Sequence, residues 1–205
     1  MSHVRLRTER LELVAVTEEL AAAENRDGNA FARLLGVAAP KKWPPPLNDL
    51  DSMKWAWTFA KEHPDGEGFG MWYVVLTGGG SSGVDDGGAG SRGVERRDIG
   101  HSQVIGTCGF RGVPSDDGTV ETGYSILEDH QGNGYGTELV RALVRWAFGD
   151  TRVARIIAET FPDMTPSRRV LEKNGFRRRG MAAEPGAVRY ELKRGEWEAG
   201  TKSRG

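Results

Sequence analysis

"HQGNGYGTEL", His130 to Leu139, sets three glycines in five positions directly before a helical pattern. Gly132, Gly134 and Gly136 keep the loop free of side-chain obstruction, so backbone N–H groups can point into one cavity. The helix that follows turns its positive end to that cavity, where an anion gains hydrogen bonds and dipole attraction together. The stretch reads as a phosphate-holding loop, and its spacing decides which kind. A P-loop ends in Gly-Lys-Ser/Thr, whereas Gly136 is followed by Thr137 and Glu138. A dinucleotide loop needs G-x-G-x-x-G, and this one runs G-x-G-x-G. Both nucleotide readings are weak; a plain glycine-rich turn between strand and helix stays as the bland alternative.

Working outward, "GTVETGYSIL" before the loop and "QVIGTCGFRGV" before that read as two strands joined by the turn "PSDDG". After the loop a helix is predicted from Tyr135 to Phe148. Leu139, Val140, Leu143, Val144 and Ala147 mark its buried face, and Glu138, Arg141 and Arg145 its polar one. "ARIIAET" is a further strand. Pro166 opens a helix that closes on Asn174-Gly175, and "FRRRG" with "AVRYELK" make a last strand pair.

Toward the start, "RLRTERLELVAVT" is one strand or a broken pair, and Thr17 caps a short helix with Glu18 and Glu19 in its first turn. A second short helix is predicted over Asn29 to Leu35. "PKKWPPPLND" (Pro40 to Asp49) is an irregular connector, and Asn48 or Asp49 caps a helix to about Glu62. "MWYVVLT" (Met71 to Thr77) is a strand. From about 78 to 100 the chain turns Gly/Ser-rich, carrying nine of the 29 glycines, and is expected to be a flexible insertion. The rest is expected to form one domain over 1–205 with a loose tail from about 198. Helices, antiparallel-looking strands and one late strand–loop–helix–strand–helix unit make the fold class α/β (α+β) rather than even βαβ alternation.

Composition bounds the function. An apolar fraction of 38%, a charged fraction of 28% and a formal charge of −1 describe a soluble globular chain without an electrostatic footprint for nucleic acid or anionic membrane. The basic run "RRRG" (Arg177 to Gly180) reads as solvated charge. No apolar run approaches the ~20 residues of a membrane span. The charged "MSHVRLRTER" has no apolar signal core, so a cytoplasmic location is expected. The single cysteine, Cys108, reads as a buried strand thiol and supplies no metal cluster.

"QGNGYG" matches the Q/R-x-x-G-x-G/A signature of GNAT-type N-acetyltransferases, with Gln131, Gly134 and Gly136 in the defining places. "TERLEL", "ETGYSI", "GTELVRALVRWAF" and "PSRRVLEKNGF" follow in that family's order. They resemble most the Rim-like branch, which acetylates N-terminal amines of ribosomal proteins, from Arg5 to Trp197. The resemblance implies a mixed, mostly antiparallel sheet with a splayed parallel strand pair, here "GTVETGYSIL" and "ARIIAET", and flanking helices. It implies acetyl-CoA as co-substrate with its pyrophosphate on the amides of Gln131, Gly132, Asn133, Gly134, Tyr135, Gly136 and Thr137. It places the thioester carbonyl near the backbone of Ile126 and Leu127, where an N–H can stabilise developing negative charge. No metal is implied.

An amine is largely protonated at neutral pH, so acetyl transfer needs a base. Glu121 is the first candidate, sharing one strand face with Gly123 and Ser125 and lying where the family often places a base. His101 and His130 are lesser candidates, and a solvent-facing strand glutamate is the bland reading of Glu121. Many family members protonate the leaving thiolate with a tyrosine four residues after the serine of N-x-x-S. Here the serine is Ser167, that position is Leu171, and the asparagine is replaced by Met164. Ser167 could hydrogen-bond the sulfur, as is thought for Rim-type relatives, or simply cap its helix. Trp43, Trp55 and Trp57 are core residues by default, though one could line the acceptor pocket. The expected acceptor is a peptide N-terminus or a small amine. The departures at Met164 and Leu171 keep open a non-catalytic CoA-binding regulatory or partner-binding module, and exposed strand edges could pair into a homodimer.

Overall fold

The apolar alternation near the start of the chain forms two strands, β1 (Arg5–Arg7) and β2 (Leu11–Ala15), which pair antiparallel in a computed structural model that describes residues 4–27, 30–78 and 102–202. Helices α1 (Glu18–Arg26), α2 (Ala30–Leu35) and α3 (Leu50–Glu62) follow, then β3 (Met71–Leu76). Thr17 and Asp49 are the N-caps, accepting from Leu20 N–H and Ser52 N–H. The expected Gly/Ser insertion and His101 lie almost wholly outside the described residues. Beyond them come β4 (Gln103–Phe110), β5 (Thr119–Ile126), α4 (Tyr135–Gly149), β6 (Arg155–Thr160), α5 (Thr165–Lys173), β7 (Arg177–Met181), β8 (Val188–Lys193) and α6 (Arg194–Lys202).

The strands make one sheet in the order β1-β2-β3-β4-β5-β6-β8-β7. Every neighbouring pair is antiparallel except β5 and β6, which are parallel and joined through α4, as a parallel pair requires a crossover. That pair is short. Its register runs from Thr119–Arg155 to Glu121–Ile157 and stops there, so the remaining halves of β5 and β6 diverge. The expected splay is therefore present, and it opens toward the glycine loop at the end of β5.

Side chains from the two sheet faces build separate cores. Leu139, Val140, Leu143, Val144, Ala147 and Phe148 of α4 are buried against Leu11, Leu13, Trp72, Ile105, Val120 and Ile156. Full burial of each such side chain contributes about 1.5–3 kcal/mol, so this face dominates the stability of the sheet. Cys108 is buried in the same core, and burial pushes its thiol far up. Opposite, Leu20, Phe31, Tyr73, Val75 and Val104 pack beneath α1 and α2.

This second core encloses one carboxylate. Glu24 accepts from Trp43 Nε1 at 2.7 Å and from Tyr73 Oη at 2.6 Å. Burial raises its pKa above the ordinary 4.5, against the two hydrogen bonds, which lower it. Glu24→Ala strands two buried donors and should cost roughly 2–5 kcal/mol in denaturant unfolding, at about 1–3 kcal/mol for each unmade bond. Glu24→Gln can still serve both partners and should stay within about 1 kcal/mol of the parent. Because the folded pKa is raised, the stability that Glu24 lends is full below its unfolded value and is lost as pH rises through the folded one. The Gln variant should accordingly gain on the parent between mildly acidic and neutral pH.

Of the segment expected as a loose tail from about 198, the described residues continue α6 to Lys202. Gly195 and Gly200 weaken its intrinsic helicity, and tertiary contacts supply what propensity does not. Trp197 packs on Phe148 with ring centroids 5.1 Å apart. Arg194 donates to the carbonyls of Phe148, Asp150 and Val153, satisfying the C-terminal end of α4. The basic run is solvated as expected: β7 is exposed, with Arg177 and Arg179 paired to Glu196 and Glu191.

Candidate active site

Leu127 leads from β5 into a 3₁₀ turn (Glu128–His130), and the chain then reverses through Gly132 at φ 78° and Gly134 at φ 82°. These are left-handed conformations that glycine adopts without steric cost. Gly134 is the N-cap of α4 and offers no side chain to the helix end. The first bond of α4 runs from Glu138 N–H to Gly134 O. The amides of Tyr135, Gly136 and Thr137 therefore have no acceptor within the helix, which leaves a positive concave end suited to a phosphate.

Neighbouring side chains brace this loop. Gln131 Nε2 donates to Ile126 O at 2.9 Å, fixing the corner between strand and loop. Asn133 Nδ2 donates back to the carbonyls of His130 and Gln131. At Gly136 a Cβ would lie 3.2 Å from Val170 of α5, so this glycine lets the two helices approach. Thr137 O accepts from Asn174 Nδ2 at 3.2 Å, which ties α5 to the same turn.

One residue of this cradle was not evident from sequence. Arg10, in the bend between β1 and β2, donates Nη1 to Asn133 O at 3.0 Å and lies 4.7 Å from the Tyr135 ring centroid. Its Nε and Nη2 grip Glu138, which also accepts from Thr8 Oγ1 and Arg10 N–H. The charge stands at the loop because a carboxylate in the first turn of α4 holds it there. The only sequence signal was the pairing of "TER" with "GTEL", 128 residues apart.

At the splay, strand parity assigns the backbone groups. Arg111 N–H bonds Glu121 O and Leu127 N–H bonds Ile105 O, so odd residues of β5 face β4. The N–H of Ile126 consequently points the other way, into the opening. Of the two amides expected to stabilise developing charge, that of Leu127 is committed to the sheet, and that of Ile126 is available.

The same parity divides the side chains. Glu121, Gly123 and Ser125 share the face that the connector reaches at Ser125, and a Cβ added at Gly123 would meet nothing within 4 Å. Glu121 forms an ion pair with Arg111 at 3.1 Å, and its side chain is 27% exposed. Burial raises its pKa; Arg111 pulls down, Glu159 pushes up and Arg189 pulls down. A raised carboxyl at an open face suits a base. His130 sits at the loop edge, beside Lys41 and Lys42 of the connector.

On the other face stands Tyr124, which sequence reading passed over. Its hydroxyl lies 3.1 Å from Ser167 O and 3.2 Å from Ser167 Oγ, and burial pushes its pKa up to about 12. Ser167 is inside the first turn of α5 and does not cap it; Met164 is the N-cap. Leu171, four residues after Ser167, is buried in the core. A phenol therefore reaches the serine from the strand, across 43 residues of sequence. Among the tryptophans, Trp43 packs against the stacked Phe31 and Tyr73 rings, Trp57 lies under Lys61, and Trp55 stacks on Phe59 while 38% exposed.

A family model described as an acetyltransferase (GNAT) domain matches residues 10–177. The chain is 35% identical over 79 residues to the uncharacterized N-acetyltransferase p20 of Bacillus licheniformis, covering 38% of this chain and 44% of that protein. It thus spans less than half the length of that relative. To the uncharacterized N-acetyltransferase YjdG of Bacillus subtilis (strain 168) it is 25% identical over 173 residues, covering 84% of this chain and 89% of that one. Among solved structures it shares the fold of RimL, a ribosomal L7/L12 alpha-N-protein acetyltransferase in complex with coenzyme A. There the TM-score is 0.59 at 17% identity, covering 93% of this chain and 98% of that one.

Proposed function

The chain belongs to the GNAT acetyltransferase family, and we propose that it moves the acetyl group of acetyl-CoA to a primary amine by direct attack, in the manner of the Rim-like branch. The observation that carries this reading is one of placement. The positive loop at the start of α4, the Ile126 N–H and the Tyr124–Ser167 pair lie along the diverging half of β5, and Glu121 stands at its last position paired with β6.

Acetyl-CoA, when bound, supplies an acetyl group activated as a thioester. The amides from Gln131 to Thr137, with Arg10 beside them, hold its pyrophosphate, and the Ile126 N–H stabilises charge developing on the carbonyl oxygen. Glu121 removes the proton of the incoming amine. Glu121 lies five residue steps before Ile126, about 16 Å of extended strand, so the proton reaches it along a chain of waters rather than directly. Ser167, oriented by Tyr124, hydrogen-bonds the departing sulfur from the opposite face. A phenol whose pKa is about 12 keeps its proton at neutral pH and serves as a donor, with solvent completing the protonation.

Tyr124→Phe removes one hydrogen bond that aligns a donor to a forming thiolate. Turnover should fall about 10- to 100-fold, the equivalent of a charge-assisted bond, with little change in acceptor KM. Ser167→Ala added to that variant should cost much less than it costs alone, which steady-state kinetics on the double-mutant cycle will read.

The acceptor is a peptide N-terminus or a small amine, and a thiol-release assay over panels of both decides between them. Turnover confined to peptides selects the protein acceptor. Acetyl-CoA binding without turnover on any amine would replace the enzyme with a non-catalytic CoA-binding module. The lone buried thiol suits the cytoplasm.

A further inference from the structure

The connector before α3 contains a conformational outlier. Leu47 has φ 68°, and among the described residues it is the one non-glycine residue with positive φ. Leu47 as a whole is 75% exposed, so burial does not offset the strain. Strain of this kind persists where the surroundings over-determine a backbone, and it clusters at functional sites.

The surroundings here are explicit. Ser125 Oγ donates to Pro46 O, and Thr107 Oγ1 donates to Asn48 Oδ1 at 3.1 Å, so both neighbours of Leu47 are tied to the sheet. Thr107 and Ser125 are cross-strand partners, which puts both ties on one patch. Upstream Trp43 is fixed by Glu24, and downstream Asp49 caps α3. The patch lies two residues along β5 from Gly123 and four from Glu121, on the same face. Leu47 is therefore held out at the rim of the open face where Glu121 stands.

We infer that Leu47 reads the acceptor, contacting an apolar group a few bonds from the reacting amine. The inference rests on the acetyl-transfer reading of the same cleft and narrows it. The acceptor is an amine with an apolar substituent, rather than a polyhydroxylated or polycationic one. A single methyl-rich contact of this kind discriminates by roughly tenfold.

The test uses the full chain and acetyl-CoA. Short peptides with leucine or serine at the second position form one arm, and small amines with an isobutyl or a hydroxyethyl substituent form the other. The parent should favour the apolar member of at least one arm about tenfold in kcat/KM, and that arm identifies the source of the acceptor. Leu47→Ala and Leu47→Gly should reduce the ratio to within about twofold, with acetyl-CoA KM unchanged. The glycine variant should melt no lower than the parent, because glycine takes a positive φ freely. A preference that survives in both variants, or none in the parent, overturns the inference. Absence of turnover with every amine overturns it together with the acetyl-transfer reading.

Discussion

Gly134→Asp should abolish measurable acetyl-CoA binding while leaving the chain folded. Gly134 is the N-cap of α4 at φ 82°, with Gly132 at φ 78° before it, and the amides of the first helical turn open beside it. A Cβ there would come 3.5 Å from Arg10 Nη2, so the new carboxylate would stand against the guanidinium that flanks the loop. It would fill the anion site with a like charge and engage the cation that assists it. The left-handed backbone adds strain of order 1–3 kcal/mol, a fraction of the stability of a domain this size. Calorimetry should register a loss of at least ~100-fold in affinity, about 2.7 kcal/mol, at unchanged far-UV circular dichroism. Near-normal binding would mean that the pyrophosphate lies elsewhere.

The second large effect is kinetic. Glu121→Gln should lower turnover by about 10²-fold or more while acetyl-CoA affinity stays within about twofold, since general-base contributions run from 10² to 10⁴. The pH dependence identifies the group. Burial foremost holds the Glu121 pKa above its ordinary 4.5, with Arg111 and Arg189 opposing and Glu159 assisting. Only the carboxylate accepts a proton, so kcat/KM should rise with pH through that raised value and be lost below it. In the glutamine variant this acid limb should vanish, leaving the limb set by the amine itself. Arg111→Ala removes the nearest cation, 3.1 Å away, and should move the limb to higher pH. An unchanged rate in Glu121→Gln would remove the carboxylate from the chemistry.

Local periodicity and turn chemistry made most elements legible. The α4 stripe, the Thr17 cap, a cap at Asn48 or Asp49 and the alternation of β5 were all apparent, because each depends on residues a few positions apart. The three glycines also disclosed the loop. What escaped depends on contacts between distant segments. The Arg10–Glu138 clasp and the Tyr124–Ser167 pair span 128 and 43 residues, and no local pattern announces either. Helix α6 contains two glycines and stands on Trp197 and Arg194, so propensity concealed it. The commitment of the Leu127 amide follows from the β4–β5 register, which a strand sequence does not specify by itself. Leu47 takes its backbone from anchors on two other strands, and leucine is among the last residues expected at positive φ.

The central claim is acetyl transfer from acetyl-CoA to an amine at this opening. It is met most directly by incubating the chain with acetyl-CoA labelled in the acetyl group, together with an amine panel, and weighing the products. The expected result is an amine product heavier by one labelled acetyl group, formed in step with free thiol and absent with Gly134→Asp. Labelled acetate with no acetylated amine, or no consumption of the thioester by a chain that binds it, would contradict acetyl transfer as the function of this site.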